Sequence, residues 1–153
     1  MLPCCITMNF ITKSFQELTT TELYQILNLR SEVFVVEQNC VYQDVDFKDQ
    51  KALHVFGMIN NQIISYTRIF KPKDYFENAS IGRVVVAKNE RTSGYGFDLM
   101  EASIKAVKDN FKVDKITISA QVYLTKFYNS LGFNKVGEEY LEDGIPHIRM
   151  DRD

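Results

Sequence analysis

The segment from residue 84 to residue 96 has the residue types of an anion-binding loop. An apolar run, Val84-Val85-Val86, is followed by Arg91-Thr92-Ser93-Gly94-Tyr95-Gly96, where an amphipathic helix is predicted to begin. Amide N–H groups are free at a helix start, and the helix dipole favours negative charge. Gly94 and Gly96 carry no Cβ atoms, so a ligand phosphate could approach the backbone. The guanidinium of Arg91 could donate two hydrogen bonds to the phosphate oxygens. The loop alone is equally compatible with a plain helix start that has two turn glycines.

The loop differs from the two best-known phosphate motifs. No Gly-Lys-Ser/Thr sequence follows it, which excludes a Walker A loop, and Leu99 stands where a dinucleotide-binding loop has its third glycine. Asp44, Asp46 and Asp49 form a second polar group in the acidic segment from Glu37 to Gln50. These three carboxylates could line a site for a cationic amine or form a solvated surface. They do not fit an EF-hand, because no glycine stands at the sixth position.

Hydrophobic periodicity predicts the elements that position these residues. Strands are predicted over residues 9–15, 52–59, 62–70, 80–87, 115–120, 133–140 and 147–150, with residues 84–86 buried on both faces. Helices are predicted after the capping box Thr19–Glu22, over Tyr95–Asn110 and around Tyr128. Asn60-Asn61 and Asp143-Gly144 predict tight hairpin turns. A hairpin-rich first half followed by a βαβ crossover predicts an α/β fold, a mixed sheet with helices on its faces.

The composition is that of one ordinary globular domain. The chain has 153 residues, of which 45% are hydrophobic and 25% charged, and its formal net charge is -2. It carries no polybasic patch, so nucleic acid is not expected as a partner. No apolar run approaches the roughly 20 residues that a membrane helix needs, so a membrane partner is not expected either.

The amino terminus and the cysteines bear on the cellular location. Residues 1–7 (MLPCCIT) lack the basic flank of a signal peptide. We therefore expect a single domain over residues 8–153, with residues 1–7 as an upstream extension or a vector-derived remnant. Cys4, Cys5 and Cys40 are odd in number and lack zinc-type spacing, which favours free thiols in a reducing, cytoplasmic environment. No metal site is predicted.

Four segments together resemble the GNAT superfamily of N-acetyltransferases, and in particular its ElaA-like branch. The first is Arg91-x-x-Gly94-x-Gly96 after a Val-rich strand, which is similar to the acetyl-CoA signature of the superfamily. The others are residues 29–38 (LRSEVFVVEQ), residues 42–49 with their three aspartates, and residues 142–150 (EDGIPHIRM). The resemblance covers nearly all of residues 8–150. The sequence departs from the family pattern at Thr92, a position where a glycine is commoner.

The resemblance implies a GNAT fold, in which a seven-stranded, mostly antiparallel mixed sheet splays between strands four and five. It also implies direct transfer of an acetyl group from acetyl-CoA, as co-substrate, to a primary amine of a small molecule or peptide. The pantetheine arm would then bind the backbone of Val84, Val85 and Val86. The pyrophosphate would bind the loop amides of Arg91, Thr92, Ser93, Gly94, Tyr95 and Gly96. The acceptor amine is the expected partner, and a homodimer is compatible with the resemblance.

The implied reaction needs two proton transfers, one from the attacking amine and one to the departing thiolate. Tyr128 is the candidate acid, because members of the superfamily often place a tyrosine on this helix near the thioester sulfur. Its spacing is equally that of a core residue whose hydroxyl is hydrogen-bonded. Glu37, His54 and His147 are the candidate bases, and histidine suits proton abstraction near neutral pH. A bound water could relay the proton instead.

Two other functions also agree with the sequence. Residues 30–34 resemble the acyl-homoserine-lactone synthases, which share the fold and would make this chain a different acyltransferase. Those enzymes are longer and use an acyl-carrier protein, whose acidic surface needs a basic docking patch that this sequence lacks. A non-catalytic acyl-CoA sensor would keep Arg91, Gly94 and Gly96 but would need neither acid nor base.

Overall fold

The structure is a computed structural model that describes residues 8–153. Its strands are β1 (Asn9–Ser14), β2 (Leu53–Ile59), β3 (Gln62–Phe70), β4 (Ala79–Val86), β5 (Ile116–Gln121), β6 (Asn134–Glu142) and β7 (Ile145–Arg152). Its α-helices are α1 (Thr20–Arg30), α2 (Tyr95–Phe111) and α3 (Thr125–Asn129). All the predicted strands and helices are present, and their ends differ from the predicted ends by a few residues. None of the described helices has both the length and the apolar content needed to cross a membrane.

The seven strands form one sheet in the order β1-β2-β3-β4-β5-β7-β6. Neighbouring strands are antiparallel except for β4 and β5, which are parallel. The helix α2 lies between β4 and β5 in the chain, as a parallel crossover requires. The predicted mixed, mostly antiparallel sheet is therefore confirmed.

The residue types at the turns explain two of the hairpins. Asn60 and Asn61 join β2 to β3 with φ angles of 51° and 63°, a left-handed conformation that asparagine tolerates. Asp143 and Gly144 join β6 to β7 with φ angles of 51° and 78°. Both predicted turns are confirmed, and they help to set the register of the strands that they connect.

The sheet opens between β4 and β5, as predicted. The two strands pair at Ala79–Ile116 and at Ser80–Thr117, near the start of each strand. The remainder of β4, up to Val86, has no pairing with β5. This leaves a V-shaped opening at the carboxyl ends of the two parallel strands.

A bulge in β4 lies within the open part of the strand. The β3–β4 register shifts between Tyr66 and Arg68, and Arg83 on the opposing strand has a φ angle of 51°. A bulge adds a residue and bends its strand. Because β4 bends there, it can turn away from β5 and re-aim the Arg83 side chain.

Helices cover both faces of the sheet. On one face, which we call the α1 face, Ile26 and Leu29 of α1 pack with Phe56 and Tyr66 of the sheet. On the other, the α2 face, the buried cluster includes residues of α2, α3 and five strands: Met100, Val107, Tyr128, Val55, Ile69, Ile81, Ile118, Ile148 and Met150. Alternate residues of a strand point to opposite faces, so each cavity-lining strand residue can be assigned to one face.

The first helix has an unexpected continuation. The capping box is confirmed, since Thr19 Oγ1 accepts from the Glu22 N–H at 3.0 Å and Glu22 Oε1 accepts from the Thr19 N–H at 2.8 Å. After Arg30 the chain continues as a π-helical segment, Ser31–Glu37. Such wider turns are frequent at functional sites, and this one brings Glu37 to the opening between β4 and β5.

Candidate active site

A cavity of about 740 Å³ occupies the opening between β4 and β5. Its walls come from β4, β5, α3, the π-helical segment with the loop that follows it, and the β6–β7 hairpin. The ionisable side chains that line it are Glu37, Cys40, Tyr42, Asp46, Arg68, Tyr75, Arg83, Arg91, Tyr123, Tyr128, Glu142, Asp143 and His147. The cavity therefore combines an open strand edge with acidic, basic and phenolic groups.

The β4 wall presents backbone without a strand partner on its β5 side. Residues Val84, Val85 and Val86 line the cavity beyond the last β4–β5 pair. Val85 is 3% exposed, but Val84 and Val86 are only partly buried, so the predicted burial on both faces is wrong for these two. They are partly exposed because the opening lies beside them. A free strand edge can pair with an extended ligand as a further strand would.

The predicted anion loop lies where β4 ends and α2 begins. Gly94 has a φ angle of 74° and α2 starts at Tyr95. A β-carbon added at Gly94 would meet no atom within 4 Å, so the space in front of this residue is open. The first N–H groups of α2 have no acceptors within the helix, and its dipole adds partial positive charge. Arg91 and Gly96 reach the cavity wall, so a ligand could extend from the loop into the cavity.

Arg91 ties this loop to two neighbouring elements. Its Nε donates to the Val86 carbonyl at 3.0 Å, and its Nη2 donates to Glu37 Oε2 at 2.7 Å. In the structure the Val86 carbonyl and the Glu37 carboxylate accept these hydrogen bonds from the Arg91 guanidinium. Binding of phosphate oxygens by Arg91 therefore stays a prediction. Glu37 lines the cavity, and Arg91 engages one oxygen of its carboxylate, Oε2.

Tyr128 lies in α3 on the α2 face of the sheet and lines the cavity. It is 5% exposed, and its ring makes edge contacts with Phe127 and Phe133 at centroid distances of 5.1 and 6.0 Å. Burial raises the pKa of the Tyr128 hydroxyl, and the neighbouring phenol of Tyr123 raises it further. The hydroxyl is therefore protonated at neutral pH. It makes no hydrogen bond to another residue within 8–153, so its proton is free for a ligand.

His147 lies on the opposite, α1 face, because its neighbour Ile148 points into the cluster of the α2 face. Its Nδ1 lies 2.7 Å from the Ile145 carbonyl, to which it can only donate. The neutral ring therefore carries its proton on Nδ1 and presents a lone pair at Nε2. That Nε2 lies 3.3 Å from Glu142 Oε2, and the ring stacks on Tyr140 at 6.2 Å.

Glu142, Ser119 and Tyr140 extend this arrangement, and sequence reasoning did not single them out as functional. Ser119 Oγ donates to Glu142 Oε2 at 3.2 Å and lies 2.5 Å from the Tyr140 hydroxyl. Ser119 and Glu142 line the cavity beside His147. The only signal in the sequence is the segment 142–150 of the family resemblance, where Glu142 and His147 stand five positions apart.

His54 lies elsewhere, in the interior near β3. It is 0% exposed and does not line the cavity. Its Nε2 donates to the Asp49 carbonyl at 3.0 Å, and its Nδ1 accepts from the Tyr66 hydroxyl at 2.6 Å. Burial lowers the pKa of His54 despite the opposing effect of Asp49, so the ring is neutral. Both ring nitrogens are engaged, and the structure does not bring His54 together with the other candidate bases.

The three aspartates of the acidic segment are neutralised by arginines. Arg30, 0% exposed, donates to Asp44 at 2.9 Å and to Asp49 at 2.8 Å. Arg68 donates to Asp49 at 2.9 Å and to Asp46 at 2.6 Å. These carboxylates are therefore neither a free amine site nor a solvated surface, and both expectations are wrong. Sequence reasoning missed the arginines, although a charged residue within an apolar strand such as β3 was a signal for a buried partner.

The same network holds the bulge of β4 in place. Arg83 Nε donates to Asp44 Oδ1 at 2.8 Å, and Tyr42 donates to the same oxygen at 2.9 Å. Burial acts to raise the pKa of Asp46, but hydrogen bonds from Arg68 and its charge dominate, so that pKa lies well below its usual range. The ionised network thus secures Arg83 in its left-handed conformation at the middle of the cavity.

Cys40 also lines the cavity, with its thiol 3.5 Å from the Asp143 carbonyl. Cys4 and Cys5 lie outside the described residues. Within residues 8–153, no group of three or more His, Cys, Asp or Glu side chains is placed to bind a metal ion.

Comparisons with known proteins agree with this geometry. A family profile described as an acetyltransferase (GNAT) domain matches residues 11–153. The chain belongs to this family. Protein ElaA of Escherichia coli is 42% identical over 139 residues, which cover 90% of this chain and 91% of ElaA. The predicted membership of the ElaA-like branch is thereby confirmed.

Solved structures are similar over almost the whole chain. A crystal structure of an acyl-CoA N-acyltransferase from Pseudomonas aeruginosa has a TM-score of 0.91 and 39% identity, covering 96% of this chain and all (100%) of that one. The crystal structure of E. coli ElaA has a TM-score of 0.90 and 38% identity, with the same coverage of 96% and 100%. A CoA-dependent acyl-homoserine lactone synthase has a TM-score of 0.78 at 15% identity over 95% of this chain and 82% of that one, which shows a shared fold alone. The expectation that such synthases use an acyl-carrier protein is therefore wrong for this one, which depends on CoA.

Proposed function

We propose that this protein transfers an acetyl group from acetyl-CoA directly to a primary amine, and that residues 8–153 form one N-acetyltransferase domain. The observation that carries the proposal is the opening between β4 and β5, where one cavity joins a free strand edge to a helix-start loop. Acetyl-CoA has the matching parts, an extended pantetheine amide chain and an anionic pyrophosphate. Membership of the GNAT acetyltransferase family supports the same donor.

In this proposal the donor lies along β4. The backbone of residues 84–86 binds the pantetheine amides, and the amides of residues 91–96 bind the pyrophosphate where the dipole of α2 is positive. Neither group demands a particular side chain, which explains why apolar residues and glycines suffice there. The thioester then lies in the middle of the cavity, near the bulge at Arg83.

The proton-transfer groups support direct transfer because they lie on opposite faces of the sheet. Tyr128 on the α2 face is protonated and has no hydrogen-bond partner among residues 8–153, so it can donate to the departing thiolate sulfur. Glu37 and His147 line the other side of the cavity, where an amine would approach the carbonyl carbon. His54 is not part of the proposal, because its ring is buried outside the cavity.

Thiol release from acetyl-CoA in the presence of primary amines tests the proposal. The panel contains spermidine, ethanolamine, tyramine, free lysine and a lysine-containing peptide, with the corresponding alcohols as controls. We expect amine-dependent release with stoichiometric N-acetyl product detected by mass spectrometry. Micromolar binding of acetyl-CoA without release above background for any amine would instead support the acyl-CoA sensor.

A further inference from the structure

We propose that Glu142 binds the acceptor as its ammonium ion and that His147 removes one proton from it. This inference rests on the proposed function and adds the identity of the base and the charge of the acceptor. It assigns Glu142, Ser119 and Tyr140 to the acceptor side of the cavity. It therefore predicts that the natural acceptor is cationic in solution.

The polar side chains beside the β6–β7 hairpin form one connected group. Glu142, Ser119, Tyr140 and His147 come from three adjacent strands, and their side chains meet on the α1 face. Tyr140 and His147 are directly paired across β6 and β7, and Ser119 Oγ bonds Glu142 at 3.2 Å. Because each member is held by another, the carboxylate and the imidazole have a defined separation of 3.3 Å. The carboxylate and the imidazole are thus positioned relative to each other and are not two independent surface groups.

The charges along the cavity also favour Glu142. Glu37 is engaged by Arg91, and Asp46 is engaged by Arg68. Among the described residues, the cavity-lining carboxylates that no lysine or arginine contacts are those of Glu142 and its neighbour Asp143. A cationic group entering from solvent therefore finds its unneutralised partner at the β6–β7 hairpin, and Glu142 is the one that already contacts a base.

The tautomer of His147 places a proton acceptor beside Glu142. Since Nδ1–H donates to the Ile145 carbonyl, the lone pair is at Nε2, the nitrogen that faces Glu142. Neutral Nε2 cannot donate to the carboxylate, so Glu142 has an unused acceptor site when the ring is neutral. An ammonium ion placed between the two can donate one N–H to each. Proton transfer to Nε2 then creates an imidazolium that is paired with Glu142.

The proton balance of the reaction closes with these groups. One ammonium proton passes to His147 Nε2, and the free amine attacks the thioester carbonyl carbon. The C–N bond forms, the C–S bond breaks, and the thiolate takes the hydroxyl proton of Tyr128. The second nitrogen proton returns to the Tyr128 oxygen through water, and His147 releases its proton to solvent. The products are the amide, CoA thiol and one proton.

Histidine NMR tests the pairing without any substrate, because the chain has only two histidines. Groups facing the His147 ring are Glu142 and Tyr140 of β6 and the Ile145 carbonyl, with Gln121 opposite on β5. In Glu142→Gln we expect the Cε1–Hε1 signal of His147 to move, because the carboxylate oxygen 3.3 Å from its Nε2 is lost. The buried His54 signal is the internal control. Glu138→Gln, an exposed carboxylate on the same strand, is the matched control and should change neither signal.

Kinetics on the best amine of the panel provide the second measurement. Glu142→Gln should raise KM for the amine at least about tenfold while KM for acetyl-CoA changes less than about twofold. Ser119→Ala should raise the amine KM by a smaller factor, because it loosens Glu142 without removing its charge. A His147 signal and an amine KM that both stay unchanged in Glu142→Gln, while the wild type still acetylates amines, would overturn this inference and leave the proposed function standing. A wild type that acetylates no amine would overturn both.

Discussion

Replacing Tyr128 by phenylalanine distinguishes between two roles of this residue, that of the catalytic acid and that of a core aromatic residue. The substitution keeps the ring and therefore its edge contacts with Phe127 and Phe133 at 5.1 and 6.0 Å. It removes only a hydroxyl that has no hydrogen-bond partner within the described part of the chain. We therefore expect the free energy of unfolding to change by less than about 1 kcal/mol, since no internal hydrogen bond is lost.

The expected effect on the chemistry is much larger. If the hydroxyl protonates the departing thiolate, kcat should fall about 100-fold, equivalent to about 2.7 kcal/mol of transition-state stabilisation. KM for acetyl-CoA should change little, because the hydroxyl acts on the transition state more than on the bound thioester. The size of the stability change and the size of the rate change are thus predicted to differ by more than the error of either assay.

Thiol release and thermal unfolding of one preparation measure both quantities. Tyr24→Phe is the matched control, because Tyr24 is 76% exposed on α1 and is not among the residues that line the cavity. It should leave kcat and the unfolding midpoint unchanged. A Tyr128→Phe enzyme that keeps its kcat but unfolds at a lower temperature would refute the assignment. The thiolate would then leave without an acid, and Tyr128 would be a core aromatic.

Three further predictions test the cofactor loop and the buried polar groups. Gly94→Val places a branched side chain at a φ angle of 74°, so the free energy of unfolding should fall by at least about 1 kcal/mol. In calorimetry the affinity for CoA should fall at least about tenfold. The affinity for an acetyl-pantetheine thioester, which lacks the pyrophosphate, should stay unchanged. Because the pKa of His54 is lowered by burial, its contribution to stability is present above the unfolded pKa near 6.5 and is lost as pH falls below it. Between pH 7.5 and 5.5 the wild type should therefore lose up to about 1.4 kcal/mol more than His54→Gln in urea unfolding, and equal losses would contradict this. Asp49→Asn leaves Arg30 and Arg68 each short of a carboxylate and should destabilise by about 3 kcal/mol, and a loss below about 1 kcal/mol would show that the network is not rigid.

Local signals explain why the strand and helix order was predictable. Asn60-Asn61 and the capping box at Thr19 and Glu22 each act over a few residues, so they fix local conformation whatever the rest of the chain does. The alternation of apolar and polar residues along a strand, and the three-to-four-residue spacing of apolar residues along a helix, show only which face of that element is buried. The opening between β4 and β5 did not follow from such patterns, and its prediction depended on the family resemblance.

The π-helical segment Ser31–Glu37 was not predictable in the same way. Its apolar residues continue the spacing of α1, and nothing in the sequence distinguishes a π turn from a further α turn. The difference matters, because it determines where Glu37 meets Arg91.

The polar groups of the site depend on distant pairing. Ser119 and Glu142 are separated by 23 positions, and Arg83 and Asp44 by 39. Which of these residues meet depends on strand order and register, and both are set by the packing of the whole sheet. Sequence reasoning therefore found individual residues such as His147 but not the partners that give them a role.

A single-turnover experiment with isotope-labelled acetyl-CoA tests the central claim most directly. Enzyme in excess is mixed with [13C]acetyl-CoA and the best amine of the panel, quenched at short times and analysed by mass spectrometry. Direct transfer across the β4–β5 opening predicts that the label moves from CoA to the amine nitrogen, with one thiol released per amide and no labelled protein at any time. The claim would be contradicted by label that appears first on the protein, for instance on the cavity thiol of Cys40. It would equally be contradicted by acetyl-CoA that binds without releasing its acetyl group.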